Sequence, residues 1–213
     1  MGDRYANHRF CNNLDEYSFL CEGKYDIPII EPTDWAPCKF VPFNTAKNIE
    51  NRSNRGVHFF IDDYQFERIW LNWKRYGAFL SEFQSVMTPD FSLFTDWPVA
   101  VQIWNHYRKH FIGAYLQTLG VNVIPTICWS DEKSYDWCFD GEPTNSCVAV
   151  SSVGTQKNIE AQRLFLSGYN AMIERLCPET IIFFGKVPNE CKGNIISITP
   201  FYDKFEIAKT GNY

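Results

Sequence analysis

The chain has 213 residues, of which 45% are hydrophobic and 17% aromatic, and its formal net charge is −5. This length and composition indicate one globular domain with a sizeable core and exclude a disordered chain. The negative charge and the lack of a Lys/Arg-rich tract weigh against nonspecific nucleic-acid binding through a broad basic face, although they leave room for a local basic groove.

Membrane insertion and secretion signals are not found. No apolar run approaches the length of a membrane span, and Met1–Phe10 lacks the apolar core of a signal peptide. We therefore expect a soluble cytoplasmic protein with no membrane partner. The 8 cysteines form no CxxC pair and no Cys/His cluster with zinc-finger spacing. Reduced structural thiols are the favoured interpretation, and the spacing does not support a metal site assembled from distant cysteines.

The N-terminal part, residues 1–56, differs from the rest in its regularly placed prolines and weak periodicity. Proline removes a backbone donor and favours extended chain, so this part is predicted to be an extended arm packed on the main body. Residues 57–202 are predicted to form a βα-repeat domain and residues 203–213 a tail, in a single domain overall. The prolines of the arm are Pro28, Pro32, Pro37 and Pro42.

Six short apolar stretches are predicted to be buried strands, and each ends in a small or polar residue. They alternate with segments that are mostly long enough for a helix. This alternation predicts an α/β fold with a parallel sheet, either open or an incomplete or distorted TIM-like barrel, because a full barrel has eight strands. The ligand site is expected at the carboxyl ends of the strands. The predicted strands are Val57–Asp62, Ser85–Asp90, Asn122–Trp129, Cys147–Ser152, Thr180–Gly185 and Asn194–Thr199.

Helices are predicted from apolar side chains at three- or four-residue steps and from capping residues at the ends. In chain order, the helices run from Asp63 to about Leu80, from Asp96 to before Gly120, from Ser130 to about Phe139, and roughly over Gln156–Leu176.

Pro125 lies inside the third predicted strand and requires an edge position or a bulge.

Carboxylates follow several predicted strands. Asp62, Asp63, Asp90 and Asp131 meet at one rim if the sheet is parallel. Two acids there can bind Mg²⁺ or act as general acid and base, and Asp62 and Asp90 are the catalytic candidates. The structural alternative is that Asp63 and Asp131 cap helices and that Asp90 organises a turn after Pro89.

The segment Ser151-Ser152-Val153-Gly154-Thr155 lies between a predicted strand and a helix. Free backbone N–H groups at a helix N-terminus suit a phosphate or carboxylate, so Ser151, Ser152, Gly154 and Thr155 are candidate ligand-binding residues. The segment lacks the GxxxxGK[ST] pattern of a P-loop. Helix capping explains its serines and threonine equally well.

Trp129 and Ser130 follow the third predicted strand. A tryptophan there can stack on a base or sugar ring, and packing in the core or at the rim is the simpler alternative.

His106 and His110 lie four residues apart on a helix, a spacing that can bind a metal. The HExxH pattern is missing and neighbouring residues supply no third ligand, so surface or interhelical positions are favoured.

Four long segments of the chain carry a family resemblance. They are VHFFIDDYQFERIW (57–70), TPDFSLFTDWPVAVQIWNHYR (88–108), GAYLQTLGVNVIPTICWSDEKSYDWCFDG (113–141) and SSVGTQKN (151–158). In this order they resemble the family DUF4417, which has no known function and occurs in bacteria, archaea and their phages. The resemblance covers about residues 27–202, implies no established activity or catalytic residue, and points to a phage or mobile-element origin.

Two functional hypotheses from different classes follow. The first is an enzyme, or enzyme-like binder, for a small phosphorylated ligand such as a nucleotide, with Mg²⁺ as a candidate cofactor. The alternative is a non-enzymatic accessory protein of a phage or mobile element that binds a host protein or nucleic acid. A deep polar pocket at the strand ends favours the first, and an exposed apolar or acidic patch favours the second.

Overall fold

The part of the chain that the computed structural model describes comprises residues 18–33 and 39–198. It begins with a short antiparallel hairpin formed by β1 (Cys21–Glu22) and β2 (Ile27–Pro28). Parts of the predicted N-terminal arm, at residues 1–17 and 34–38, and the predicted tail at 203–213 lie outside the described residues.

The remaining strands lie in two parallel sheets. In spatial order, the first sheet contains β3 (Lys39–Pro42), β4 (Arg55–His58), β5 (Ser85–Met87) and β6 (Val123–Ile124). The second contains β7 (Cys147–Ser151), β8 (Thr180–Phe184) and β9 (Ile195–Ile198). Each of the six predicted strands therefore overlaps an observed strand. Five observed strands lie within the predicted bounds and are shorter, whereas β4 begins two residues before the predicted start and ends at His58. The α/β fold with parallel strands is confirmed.

One strand of the first sheet was not predicted. β3 pairs in parallel with β4, in the register Lys39 to Arg55 and Pro42 to His58. The sequence analysis placed this stretch in the N-terminal arm, because its prolines and short length hide a strand pattern. As an edge strand, β3 accepts a proline at its end, where the missing N–H costs little.

Pro125 marks the junction between the two sheets. β6 ends one residue before it, and pairing resumes at a bridge between Thr126 and Ala149. The amides of Ile127 and Ala149 donate to the carbonyls of Ala149 and Pro125, both at 2.8 Å. The sequence analysis required an edge position or a bulge at Pro125. In the structure β6, an edge strand of the first sheet, ends before Pro125, because proline lacks the backbone donor that a continued ladder needs.

Four α-helices accompany the strands in the described residues: α1 (Arg68–Leu71), α2 (Trp73–Leu80), α3 (Val99–Thr118) and α4 (Ile159–Leu176). The helix predicted from Asp63 to Leu80 is broken, because Asn72 leaves the helical region with φ −132° and ψ 38°. The predicted short helix after Ser130 is a 3₁₀ turn at Glu132–Asp136. Other 3₁₀ turns lie at Ala46–Asn48, Arg52–Asn54 and Asp63–Gln65.

The start of α4 also differs from the prediction. Asn158 is its N-cap and accepts a hydrogen bond from the amide of Ala161 at 2.8 Å. The helix therefore begins at Ile159 and not at Gln156, so the residues 151–155 are not at its N-terminus. The reason is that Asn158 supplies the capping oxygen that the sequence analysis had looked for in Ser151–Thr155.

An apolar cluster lies on the face that the two sheets share. It draws one or two side chains from most strands, because alternate residues along each strand point to the same face. The sheets therefore curl toward each other around a common core. Within residues 39–198, no strand ladder connects β9 to β3, so closure of a barrel is not shown. The buried members are Phe60, Met87, Ile124, Cys147, Ala149, Ile182 and Phe184, with Phe40 and Ile198 packed against them.

The described N-terminal segment packs against α3 and the turn at 139–146. Ile27 and Ile30 expose none of their surface. The amide of Ile30 donates to the carbonyl of Gly141 at 2.9 Å, and the amide of Thr33 donates to Ser146 Oγ at 3.0 Å. Residues 27–33 are thus an integral part of the core. In the described residues, no helix has the length and apolarity that crossing a membrane requires.

Candidate functional site

A cleft with two adjoining lobes lies at the carboxyl ends of the strands, and we call it the strand-end cleft. Its larger lobe has a volume of about 380 Å³ and its smaller lobe about 220 Å³. Residues that line both lobes form the boundary between them: Asp90, Ser92, Phe94, Ser151 and Val153. This is the position that parallel strands predict for a ligand site.

Five of the residues predicted from the sequence line this cleft. The larger lobe is lined by Asp62, Asp90 and Ser151. The smaller lobe is lined by Asp90, Ser151, Trp129 and Thr155. They come from the ends of different strands. The sheet therefore brings together side chains that are up to 93 positions apart in the chain, counted from Asp62 to Thr155.

Three predicted residues do not line the cleft. Ser130 is buried, and its hydroxyl donates to Gln102 Oε1 at 2.7 Å. Ser152 is also buried and donates to the carbonyl of Lys186 at 2.7 Å. Gly154 is exposed, in a left-handed turn with φ +83°. Because the two serines already have partners inside the protein, the structure gives them a packing role.

Asp90 has the most unusual electrostatic environment in the cleft. Burial raises the pKa of its carboxyl group to about 6, and the negative charge of Asp63 acts in the same direction. A hydrogen bond from Cys128 Sγ to Asp90 Oδ1, at 2.7 Å, and the positive charge of Lys109 oppose this rise. A carboxyl group with a pKa near neutrality beside an open cleft can donate or accept a proton at physiological pH.

The thiol of Cys128 is a hydrogen-bond donor and not a thiolate. Burial raises its pKa well above the ordinary value, and the neighbouring Asp90 carboxylate raises it further. A nucleophilic cysteine requires the opposite environment. The expectation of reduced thiols also holds for the described cysteines: Cys21, Cys128, Cys138, Cys147, Cys177 and Cys191 are free.

Asp63 lines the larger lobe and fixes the position of Ser92, which lines both lobes. Its carboxylate accepts hydrogen bonds from Ser92 N at 3.0 Å and Ser92 Oγ at 2.8 Å. Asn105 Nδ2 donates to the Ser92 carbonyl at 2.8 Å, which ties the same loop to α3. The structural alternative that Asp63 caps a helix is wrong. The 3₁₀ turn has Asp62 at its N-cap position, and the Asp63 carboxylate is bonded to Ser92. Asp131, by contrast, does cap, accepting from Lys133 N.

Aromatic side chains surround the mouth of the cleft. Tyr64 is 79% exposed and Phe94 is 54% exposed, and Phe94 meets Trp97 edge to face with 5.0 Å between ring centroids. Neither lobe has a lysine or arginine among its described lining residues. The cleft therefore combines carboxylates with flat apolar surfaces, and a phosphate group would need a bound cation to enter it.

Trp129 occupies one side of the smaller lobe but is held by α4. Its ring lies 5.5 Å from that of Phe165, centroid to centroid. The indole also covers Gly168 so closely that a Cβ there would lie 2.2 Å from Trp129 Nε1. The packing interpretation is thus correct for one face of this ring, and its remaining surface is open to the lobe.

A second group of polar residues lies buried between α3 and the turn at 139–142. We call His106, Lys109, His110 and Glu142 the α3 polar cluster. Lys109 Nζ contacts Glu142 Oε1 and donates to the Thr126 carbonyl at 2.9 Å, and His110 Nε2 lies 3.0 Å from Glu142 Oε1. All four residues are buried.

The surface or interhelical position expected for the two histidines is therefore wrong. Neighbouring residues in the sequence supply no third ligand, but the fold brings the Glu142 carboxylate beside the histidines. Glu142 was missed because it lies in a turn 32 positions after His110, with no local pattern to single it out. His58, in contrast, is a buried histidine of the core. Burial lowers its pKa to about 3, and its Nδ1 accepts from the Phe60 amide at 3.2 Å.

Comparisons with known proteins agree with the resemblance seen in the sequence. The chain is 38% identical over 172 residues to the Gene 1 protein of Mycobacterium phage L5, which covers 80% of the chain and 75% of that relative. It is 36% identical over 172 residues to the Gene 1 protein of Mycobacterium phage D29, over 80% of the chain but only 64% of that relative. No solved structure matches. The family model described as a domain of unknown function, DUF4417, matches residues 19–202, and the chain therefore belongs to this family.

Proposed function

We propose that this protein binds a small phosphorylated ligand with an aromatic ring, such as a nucleotide, in the strand-end cleft. The observation that carries the proposal is the convergence of five residues from the ends of four strands onto one cleft: Asp62, Asp90, Trp129, Ser151 and Thr155. Sites at this edge are typical of parallel α/β folds. In this proposal the two sheets form an incomplete barrel, with the cleft at its carboxyl end.

The acid–base group of this site would be Asp90. Its carboxyl lies where the two lobes meet, and its pKa of about 6 allows it to move a proton to or from a bound ligand. The hydrogen bond from Cys128 holds the carboxyl in one orientation, because the thiol remains protonated.

The phosphate would enter together with Mg²⁺, since the described lining residues of both lobes offer no cationic side chain. Asp62 is exposed and suits a hard cation that keeps several of its waters. The hydroxyls of Ser151 and Thr155 would orient the phosphate oxygens. Tyr64 and Phe94 present exposed rings on which a base can stack.

The test is a thermal-shift and calorimetric screen of nucleotides and sugar phosphates, with and without Mg²⁺. A ligand at a hundred times its dissociation constant stabilises a fold by about 2.7 kcal/mol. We expect a shift that requires Mg²⁺, disappears in Asp62→Asn and weakens in Asp90→Asn. Asp136→Asn is the matched control, because Asp136 is an exposed carboxylate outside the cleft. A panel without a shift, or a shift that survives both cleft substitutions, overturns the proposal.

A second candidate has its own supporting observation. Tyr64, Phe94 and Val153 are 79%, 54% and 52% exposed at the mouth of the cleft, and exposed apolar groups of this kind suit a protein partner. In this alternative, the chain is a non-enzymatic phage or mobile-element accessory protein that binds a host protein in the host cytoplasm.

A double variant separates the two candidates. Tyr64→Ser with Phe94→Ser should abolish capture of one host protein from lysate, while a purified nucleotide should cause no shift in the parent protein. The small-ligand proposal expects the reverse: a nucleotide shift with pure protein and no stoichiometric host partner. Binding of nucleic acid is the less favoured version of the alternative, because the net charge of −5 opposes it.

A further inference from the structure

We propose that His106, His110 and Glu142 form a buried structural site for a divalent transition-metal ion such as Zn²⁺. Their ligand atoms all lie within 4.8 Å of one another. The proposal does not depend on the strand-end cleft, because none of the three residues lines either lobe. Two histidines and one carboxylate are a common donor set for zinc.

The hydrogen bonds of His106 leave one nitrogen free. Its Nε2 lies 3.0 Å from the carbonyl oxygen of Asp140 and must donate to it, since a carbonyl only accepts. In the neutral ring the lone pair is then on Nδ1. That atom is buried and has no hydrogen-bond partner, although a buried polar atom without a partner is costly.

His110 is arranged in the same way with its two nitrogens exchanged. Its Nδ1 lies 2.8 Å from the carbonyl oxygen of Pro28 and donates to it. The lone pair of the neutral ring is then on Nε2, which faces Glu142 Oε1 at 3.0 Å. Two acceptors at this distance need a proton or a cation between them, and a bound metal ion would supply the cation. A backbone carbonyl that holds one imidazole N–H while the other nitrogen binds metal is the usual outer shell of a zinc-bound histidine.

Glu142 supplies the remaining donors. Its Oε1 contacts His110 and the ammonium group of Lys109, whereas its Oε2 is buried without a partner. A carboxylate that binds through both oxygens would complete four donor atoms with the two imidazoles, which is the coordination number of a closed structural zinc site. The side chains of the three ligands expose at most a trace of surface, so the site suits an ion bound for stability.

Lys109 competes with the metal. Its ammonium group neutralises Glu142 and also donates to the Thr126 carbonyl. A divalent ion beside this ammonium is repelled, so the ion must displace Lys109 from Glu142. Lys109 therefore lowers the affinity of the site and keeps it charge-balanced when no metal is bound.

The location explains what the ion would stabilise. The ligands and their outer-shell carbonyls come from α3, from the turn at 139–142 and, through Pro28, from β2. Metal binding would fasten these three parts of the chain to one another. Because metal that binds only the folded state adds to the free energy of unfolding, loading is measurable as a change in thermal stability.

The experiment uses the full-length protein after chelation and dialysis. Zn²⁺ and Co²⁺ are each added up to two equivalents, followed by the melting temperature, metal analysis after gel filtration, and the visible absorption of tetrahedral Co²⁺. We expect one equivalent of bound metal, a rise in melting temperature and a Co²⁺ spectrum. His106→Leu should abolish all three. His58→Phe is the matched control, since His58 is a buried histidine packed against Phe60 and Phe184 without a carboxylate beside it.

A second variant keeps the proposal testable if His106→Leu fails to fold. Lys109→Met removes the competing ammonium and leaves Glu142 without compensation. We expect this variant to be less stable than the parent without metal and to be rescued by Zn²⁺. It should bind Zn²⁺ about tenfold more tightly, the gain expected when a competing contact worth about 1.4 kcal/mol is removed. A purely structural hydrogen-bond cluster predicts the loss of stability without rescue. Absence of bound metal in both the parent and Lys109→Met, or binding that His106→Leu leaves unchanged, overturns the proposal.

Discussion

At the scale of single residues, burial separates carboxylates that look alike in the sequence. Asp62 and Asp90 both follow a predicted strand, but Asp62 is exposed whereas Asp90 is largely enclosed and bonded to Cys128. Asp63, next to Asp62, is committed to Ser92. Only the protein environment distinguishes these three carboxyl groups, because their chemistry in water is the same.

The raised pKa of Asp90 makes a prediction about stability and pH. The folded protein keeps this proton up to about pH 6, while the unfolded chain releases it near the ordinary value of 3.8. The folded state binds more protons in this window, so this carboxyl makes the free energy of unfolding fall as the pH rises from about 4 to about 6. Asp90→Asn should remove this contribution, which amounts to at most about 3 kcal/mol.

Urea unfolding at pH 4.5 and pH 7.5 measures this effect. Between pH 4.5 and pH 7.5, the Asp90 carboxyl lowers the free energy of unfolding of the parent. Asp90→Asn lacks this contribution, so its free energy of unfolding at pH 7.5, relative to that at pH 4.5, should be higher than in the parent. Asp62→Asn should follow the parent, because the Asp62 side chain is exposed. Parallel pH profiles for the parent and Asp90→Asn would show that the Asp90 carboxyl is not desolvated in the folded protein.

At the scale of elements, α4 makes a very close contact with the segment that follows β6. Gly168 lies on the buried face of α4, directly under the indole ring of Trp129. Glycine in a helix interior costs about 1 kcal/mol relative to alanine. Its presence here is explained by the lack of space, and the contact sets the distance between α4 and the smaller lobe of the cleft.

Gly168→Ala should destabilise the protein by about 1–3 kcal/mol, even though alanine favours the helix. The new Cβ would lie 2.2–2.4 Å from three atoms of a rigid ring, and the clash outweighs the gain in propensity. Thermal and urea unfolding measure the change. Asn170→Ala, at an exposed position of the same helix, controls for propensity and should be neutral or stabilising.

Removal of the ring identifies the cause. In a Trp129→Leu background, the same Gly168→Ala substitution should cost much less, because a leucine can rotate away. An equal loss of stability with and without the indole would mean that α4 is destabilised for another reason.

At the scale of the whole molecule, the N-terminal segment is part of the core. Ile30 belongs to the apolar cluster that contains Val57, Phe111 and Val123, which come from β4, α3 and β6. The segment thus packs against the main body of the molecule. It also contacts the α3 polar cluster, because the Pro28 carbonyl oxygen lies 2.8 Å from His110 Nδ1.

Ile30→Ala should therefore cost about 2–5 kcal/mol, as is usual for the removal of a fully buried aliphatic side chain. Ile29→Ala is the matched control on the same stretch, and it should cost clearly less because Ile29 is only partly buried. Urea unfolding of both variants measures the difference. If both cost little, the segment is not a structural part of the folded protein.

Local patterns determined much of this fold. The six apolar stretches and the helical periodicity around Trp104, Phe111 and Phe165 indicated parallel strands alternating with helices, because the burial of a side chain is encoded in the spacing of its neighbours. The same rule placed Asp90 and Ser151 at the strand ends that face the cleft. It could not separate Ser151 from Ser152, since the two differ only in the face of the strand to which they point.

Only the tertiary structure decided what distant parts of the chain do together. Whether Lys39–Pro42 joins the sheet depends on its pairing with β4, and whether His110 is a surface residue or a buried one depends on Glu142 and Pro28. The donor of Asp90, Cys128, lies 38 positions away from it. Spacing along the sequence carries information about neighbours on one helix or strand, whereas contacts between elements depend on how those elements pack.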